Sequence, residues 1–129
     1  MKANTTIKLI TVEQHPFSEV EGGMKLVHNN FKMEYYGDLE GEGVLHELWI
    51  NHTDDTANVY GIERITGSMN GKHGSFVTEH KGKFENGKII KTMSIVPDSG
   101  TGELKGIRGE SEIESGPAKE FPIVYEYEI

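Results

Sequence analysis

Five residues of this 129-residue sequence, Tyr35, His46, Glu63, Thr78 and His80, are of the types from which acid–base chemistry is built. A carboxylate beside an imidazole can take a proton from one atom and return it to another. On an apolar wall a carboxylate must be protonated, paired or wet. Glu63 and His80 are therefore the candidate catalytic couple, with Tyr35, His46 and Thr78 as polar ligand-binding neighbours. The same cluster also reads as the polar end of a passive binding site, or as a satisfied network that fixes a core. The choice depends on the elements that carry these side chains.

Two Asn-Gly pairs, Asn70-Gly71 and Asn86-Gly87, interrupt runs of alternating apolar and polar residues. Asn-Gly favours the two-residue type I′ hairpin turn, which needs positive φ at both central positions. Such turns pair Ile65 with Phe76, Glu63 with Thr78, Gly61 with His80, His80 with Met93 and Phe84 with Ile89. One face then carries Val59, Ile65, Phe76, Phe84, Ile89, Met93 and Ile95. The other carries Arg64, Glu79, Lys81, Lys83, Thr92 and Ser94. A register in which apolar residues sort to one face supports itself. Glu63, Thr78 and His80 fall on the apolar, inward face.

The pattern extends backwards. A turn at Asp54-Asp55 pairs Ile50 with Val59, Leu48 with Gly61 and His46 with Glu63. A turn at Glu40-Gly41 pairs Tyr35 with His46, Met33 with Leu48 and Phe31 with Ile50. The segment from Gln14 to Met24 reads as an irregular loop or short helix, after a first strand from about Thr6 to Glu13. At the C-terminus FPIVYEYEI alternates cleanly. The count is about eight strands in mostly hairpin order. The expected fold is all-β: a mostly antiparallel closed β-barrel, one domain over residues 1–129, with a β-sandwich as the alternative. Gly61, and Gly106 beside Met93, leave room along the inner wall. The expected cavity is lined by Phe31, Met33, Leu48, Met93 and Tyr127, and suits a small apolar or amphipathic ligand.

Other chemistries find no support in the sequence. VPDSGTGELKGIRGE, residues 96 to 110, is rich in glycine but lacks Gly-Lys-Ser/Thr and the G-x-G-x-x-G spacing. It reads as a loop over Pro97–Thr101 followed by a strand over residues 102 to 113. In that strand Gly106 and Gly109 are bends or close contacts. HELWINH has the wrong spacing for a zinc motif, no H-x-H pair occurs, and neither Ser75 nor Ser99 sits in a G-x-S-x-G elbow. No metal or cofactor is expected. With 21 acidic against 13 basic residues the net charge is −8, which disfavours nucleic acid. The chain has no cysteine. It also shows no signal-peptide pattern and no apolar run of membrane-spanning length, so the expected location is cytoplasmic.

In this register Tyr36 and Leu45 face each other outside the barrel, as do Trp49 and Tyr60, with Ile62 nearby. Large apolar residues on an outer face suit a contact surface, and a homo-oligomer is expected.

The segments GIERITGSMNGKHGSFVTEHKGKF and IVPDSGTGELKGIRGE resemble an uncharacterised bacterial family, a domain of unknown function with a barrel like that of allene oxide cyclase. The resemblance covers about Leu26 to Tyr127. It implies an eight-stranded β-barrel and no established reaction. The reading from the residues is a barrel that binds a small, mainly apolar ligand. The alternatives are an isomerase or cyclase using Glu63 and His80, and a structural module with a filled barrel.

Overall fold

The Asn-Gly pairs are the turns that their chemistry predicts: Asn70 and Gly71 have φ of 49° and 86°, and Asn86 and Gly87 of 51° and 80°. In the computed structural model, which describes residues 1–53 and 55–129, eight antiparallel strands follow in order. They are β1 (Lys2–Ser18), β2 (Lys25–Gly37), β3 (Leu39–Asn51), β4 (Thr56–Met69), β5 (Lys72–Glu85), β6 (Lys88–Ile95), β7 (Arg108–Ser115) and β8 (Glu120–Glu128). Each pairs with the next and β8 pairs with β1 over Lys2–Lys8, which closes the barrel, while Thr11–Ser18 of β1 run on paired with β2 alone. The register of β4, β5 and β6 is as expected: Glu63 opposite Thr78, Gly61 opposite His80, His80 opposite Met93.

Strand β3 differs, by one residue against β4 and by five against β2, and both odd shifts exchange its faces. Leu45 faces Glu63, Glu47 faces Gly61 and Trp49 faces Val59. On its other side Tyr35 faces Gly41, Met33 faces Gly43 and Phe31 faces Leu45. A slip of one residue turns every side chain to the opposite face. Leu45, Glu47 and Trp49 therefore point inward, while Val44, His46 and Leu48 point outward. The expected turn at Glu40-Gly41 lies within β3, and β2 instead reverses at Asp38. The expected turn at Asp54-Asp55 includes Asp54, which lies outside the described residues; Asn51 and Ala57 are the last pair before it.

The first strand is longer than expected and runs to Ser18, so much of the segment read as loop or short helix is strand paired with β2. Past Ile10 it is exposed on both faces. The glycine-rich stretch also differs. Pro97–Thr101 is a loop, but Gly102–Leu104 is a single 3₁₀ turn and the strand begins only at Arg108, which is exposed. Gly106, at φ 85°, lies in the turn that follows Leu104, and Ser111 rather than Gly106 lies beside Met93. Leu104 and Ile107 fold into the core with Leu39, Met69 and Tyr127 and stop that end of the barrel.

Candidate functional site

The barrel interior holds two separate polar groups. The first lies deep in the wall formed by β2, β4 and β5. The Tyr35 hydroxyl donates to Glu63 Oε2 at 2.5 Å. His80 Nε2 stands 2.8 Å from Thr78 Oγ1 and 3.2 Å from Glu63 Oε1. The second of these is off the line of a hydrogen bond, and Oε1 and the far ring nitrogen Nδ1 have no hydrogen-bond partner among the described residues. Burial lowers the His80 pKa, with nearby Lys91 adding to the effect and Glu63 opposing it, so the ring is neutral at neutral pH. Burial, reinforced by the charge of Glu63, pushes the Tyr35 and Tyr125 hydroxyls well above their usual range. Tyr125 packs edge-on against Phe76 with ring centroids 6.2 Å apart. The side chains of Glu63 and His80 are each only 1% exposed.

The second group is an ion pair across the lumen. Lys91 Nζ on β6 donates to Glu47 Oε2 on β3 at 2.7 Å, and Trp49 Nε1 donates to Glu47 Oε1 at 3.2 Å. The two strands between them carry glycines where the pair needs space. A Cβ on Gly61 would stand 2.8 Å from Glu47 Cγ, and one on Gly82 would stand 2.5 Å from Lys91 Cα and Cβ. Neither residue of the pair can leave water without the other, since an unpaired buried charge is strongly unfavourable.

Above this crossbar lies a cavity of about 360 Å³. Its walls are mainly apolar, with Phe31, Met33, Leu45, Trp49, Phe84 and Ile89 prominent. Trp49 and Phe84 stack at a tilt with centroids 5.4 Å apart. Asn29, opposite Glu47 on β2, is buried and lines the cavity, and its Oδ1 has no hydrogen-bond partner among the described residues. The mouth is bordered by Gly87 of the hairpin turn and by Ser115 to Ala118 after β7.

The expected site is thus brought together in part. Tyr35, Glu63, Thr78 and His80 converge as proposed. None of them lines the cavity. His46 does not join them: the β3 slip puts it outside, where its Nδ1 lies 3.0 Å from His28 Nε2. Leu48 is likewise outside and 53% exposed. Met93 is packed in the core without reaching the cavity, and Tyr127 sits at the stopped end, its hydroxyl 2.6 Å from Asn70 Nδ2. Phe31 and Met33 do line the cavity.

The expected outer surface changes in the same way. Leu45 and Trp49 are inside, so they cannot form a contact face. Tyr36, Tyr60 and Ile62 are outside and exposed, and Val44 and Leu48 join Tyr60 and Ile62 on adjoining strands. Three residues escaped the sequence reading: Lys91, Glu47 and, opposite Glu47 on β2, Asn29. Alternation from Ile89 to Met93 places Lys91 inward, a signal available beyond the second Asn-Gly turn. Glu47 was hidden by the wrong face of β3.

The family model described as "Protein of unknown function (DUF3224)" matches residues 3–127. A crystal structure of a protein with unknown function from that family, from Shewanella oneidensis MR-1, is similar to this chain at 26% sequence identity and a TM-score of 0.78. The likeness covers 100% of this chain and 98% of the other. None of the curated proteins matches the sequence.

Proposed function

The chain belongs to the DUF3224 family of proteins of unknown function, and we propose that it binds one small, mainly apolar molecule in the open half of its barrel. The observation that carries this reading is the cavity of about 360 Å³, with aromatic and aliphatic walls and a polar floor. Ligand sites are typically concave, mainly apolar and supplied with a few placed polar groups. The resemblance to the allene oxide cyclase barrel belongs with this proposal, as a likeness of fold alone.

The two alternatives find less support. An isomerase or cyclase using Glu63 and His80 needs its substrate to touch them, and their side chains lie apart from the cavity, sealed in the wall. A filled structural barrel describes only the half stopped by Leu104 and Ile107. Self-association through the outer face of β3 and β4 is part of the proposal, supported by the exposure of Val44, Leu48, Tyr60 and Ile62.

Ser115→Phe tests the binding reading, because Ser115 borders the mouth and a phenyl ring there occupies the entry. Native mass spectrometry of the purified protein is expected to find a small organic molecule retained by the wild type and absent from the variant, with both equally stable to urea. Equal retention by both proteins counts against the cavity as the binding site.

A further inference from the structure

We propose that the Glu47–Lys91 crossbar makes the cavity select uncharged ligands with an oxygen-bearing head, such as long-chain alcohols and ketones, over fatty carboxylates and amines of the same length. This rests on the ligand-binding reading above and deepens it.

The hydrogen-bond inventory sets the first requirement. Both oxygens of Glu47 are engaged, one by Lys91 and one by Trp49. An ammonium has three donors, and Glu47 takes one of those on Lys91. The others can serve an acceptor in the cavity. Asn29 Oδ1 is buried and unpartnered beside Glu47, and can serve a donor. A ketone oxygen accepts from Lys91. A hydroxyl accepts from Lys91 and donates to Asn29.

Charge sets the second requirement. The side chains of Glu47 and Lys91 are 1% and 8% exposed, and together they are neutral. A carboxylate head would leave two negative charges against one positive in a buried site. An ammonium head would leave the reverse. Either must displace a partner of the pair or enter with its charge uncompensated, and burying an unpaired charge costs far more than burying a hydrogen-bonded hydroxyl or carbonyl. The alkyl part of all four head groups meets the same wall of Phe31, Trp49 and Phe84, so the head decides among them.

The chain has one tryptophan, and it is Trp49 in the cavity wall, so its fluorescence reports occupancy directly. Titration at pH 7 with 1-decanol, 2-decanone, decanoate and decylamine is the test. Wild-type protein is expected to bind the alcohol and the ketone at least about ten-fold more tightly than the carboxylate or the amine, a difference of about 1.4 kcal/mol. Glu47→Gln leaves Lys91 unpaired and is expected to shift the preference to decanoate. Lys91→Met leaves Glu47 unpaired and is expected to shift it to decylamine. The double variant Glu47→Gln/Lys91→Met restores neutrality without the Lys91 donor: it is expected to reject both charged heads as the wild type does but to bind 2-decanone more weakly than the wild type, which guards against a single variant that fails to fold. Decanoate or decylamine binding the wild type as tightly as 1-decanol overturns this inference while leaving ligand binding intact. A wild type whose fluorescence and melting temperature respond to none of the four overturns the binding reading and this inference with it.

Discussion

The backbone of Gly43 on β3 lies against Glu63 on β4 so closely that a Cβ on Gly43 would collide with Glu63 Oε2 and stand 2.9 Å from Tyr35 Cε2. Both of these partners are buried. Glycine at position 43 is what lets the carboxylate accept the Tyr35 hydroxyl inside the wall. Gly43→Ala is expected to lower stability by about 1–3 kcal/mol, the range for disturbing a buried hydrogen bond to a charged group. Gly116→Ala is its control, because a Cβ there meets nothing within 4 Å. That change is expected to stay within about 0.5 kcal/mol. Urea unfolding of the two variants makes the comparison, and equal midpoints would sink the steric account.

Glu63→Gln separates the sealed network from the cavity. The amide keeps the size of the carboxylate but removes its charge and one acceptor facing Tyr35. Stability is expected to fall by about 1–3 kcal/mol, since buried polar groups lose good partners. The affinity for 2-decanone, read from Trp49 fluorescence, is expected to stay within two-fold, because Glu63 does not line the cavity. A loss of affinity above about ten-fold in a fully stable variant would instead join Glu63 to the ligand site.

The legible and illegible parts of this protein divide at β3. The β4–β5–β6 unit was readable because two Asn-Gly turns of known length fix the pairing, and one face alone is apolar. The inward placement of Glu63, Thr78 and His80 follows from that. Strand β3 offers no such discrimination: Val44, Leu48 and Ile50 on one face are at least as apolar as Leu45 and Trp49 on the other. Inward glycines, Gly41 and Gly43, dilute the face that is actually buried. The reversals on either side of β3 lack a two-residue Asn-Gly signature, so nothing local fixed its register. One slipped residue exchanged Glu47 for His46 in the interior and Trp49 for Leu48 in the cavity wall. Lys91 was legible by alternation, yet a lone inward lysine has no meaning until Glu47 is placed opposite it. The 3₁₀ turn at Gly102–Leu104 is a tertiary outcome, with Leu104 and Ile107 drawn into the barrel end.

His80 makes stability depend on pH in a predictable direction. Its folded pKa lies below the ordinary value of about 6.5, chiefly because burial disfavours the charged ring. The charged groups acting on it are Glu63, Lys91 and Glu47. As pH falls through about 6.5 the unfolded chain takes up a proton at this residue while the folded chain does not. The unfolded state then binds more protons, so stability falls with falling pH, by at most about 1.4 kcal/mol per pH unit from this one site. The contribution is fully present above the unfolded pKa and stops changing below the folded one. His80→Gln is expected to flatten the change in urea midpoint between pH 7 and pH 5.5. The same pH dependence in the variant as in wild type would show that another group is responsible.

The β3 slip also decides which residue can test assembly. Trp49 is no surface probe, because it lines the cavity and bonds to Glu47. The residue to change is Ile62, which is 60% exposed on the outer face of β4. It lies opposite His46 of β3 and Glu79 of β5. Val44, Leu48 and Tyr60 are exposed on the same outer side. A sheet surface with adjoining apolar residues gains by being covered, at roughly 25 cal/mol per Å² of apolar area removed from water. Ile62→Glu introduces a charge in the middle of that face and touches nothing in the interior. Light scattering is expected to give a native mass that is a multiple of the 14.4 kDa chain for the wild type and a single-chain mass for the variant. The monomeric stability of the variant should be unchanged, because the fold loses no buried contact. A wild type that is already monomeric at high concentration would rule this face out as a contact between copies and leave the exposed residues to another partner or to water.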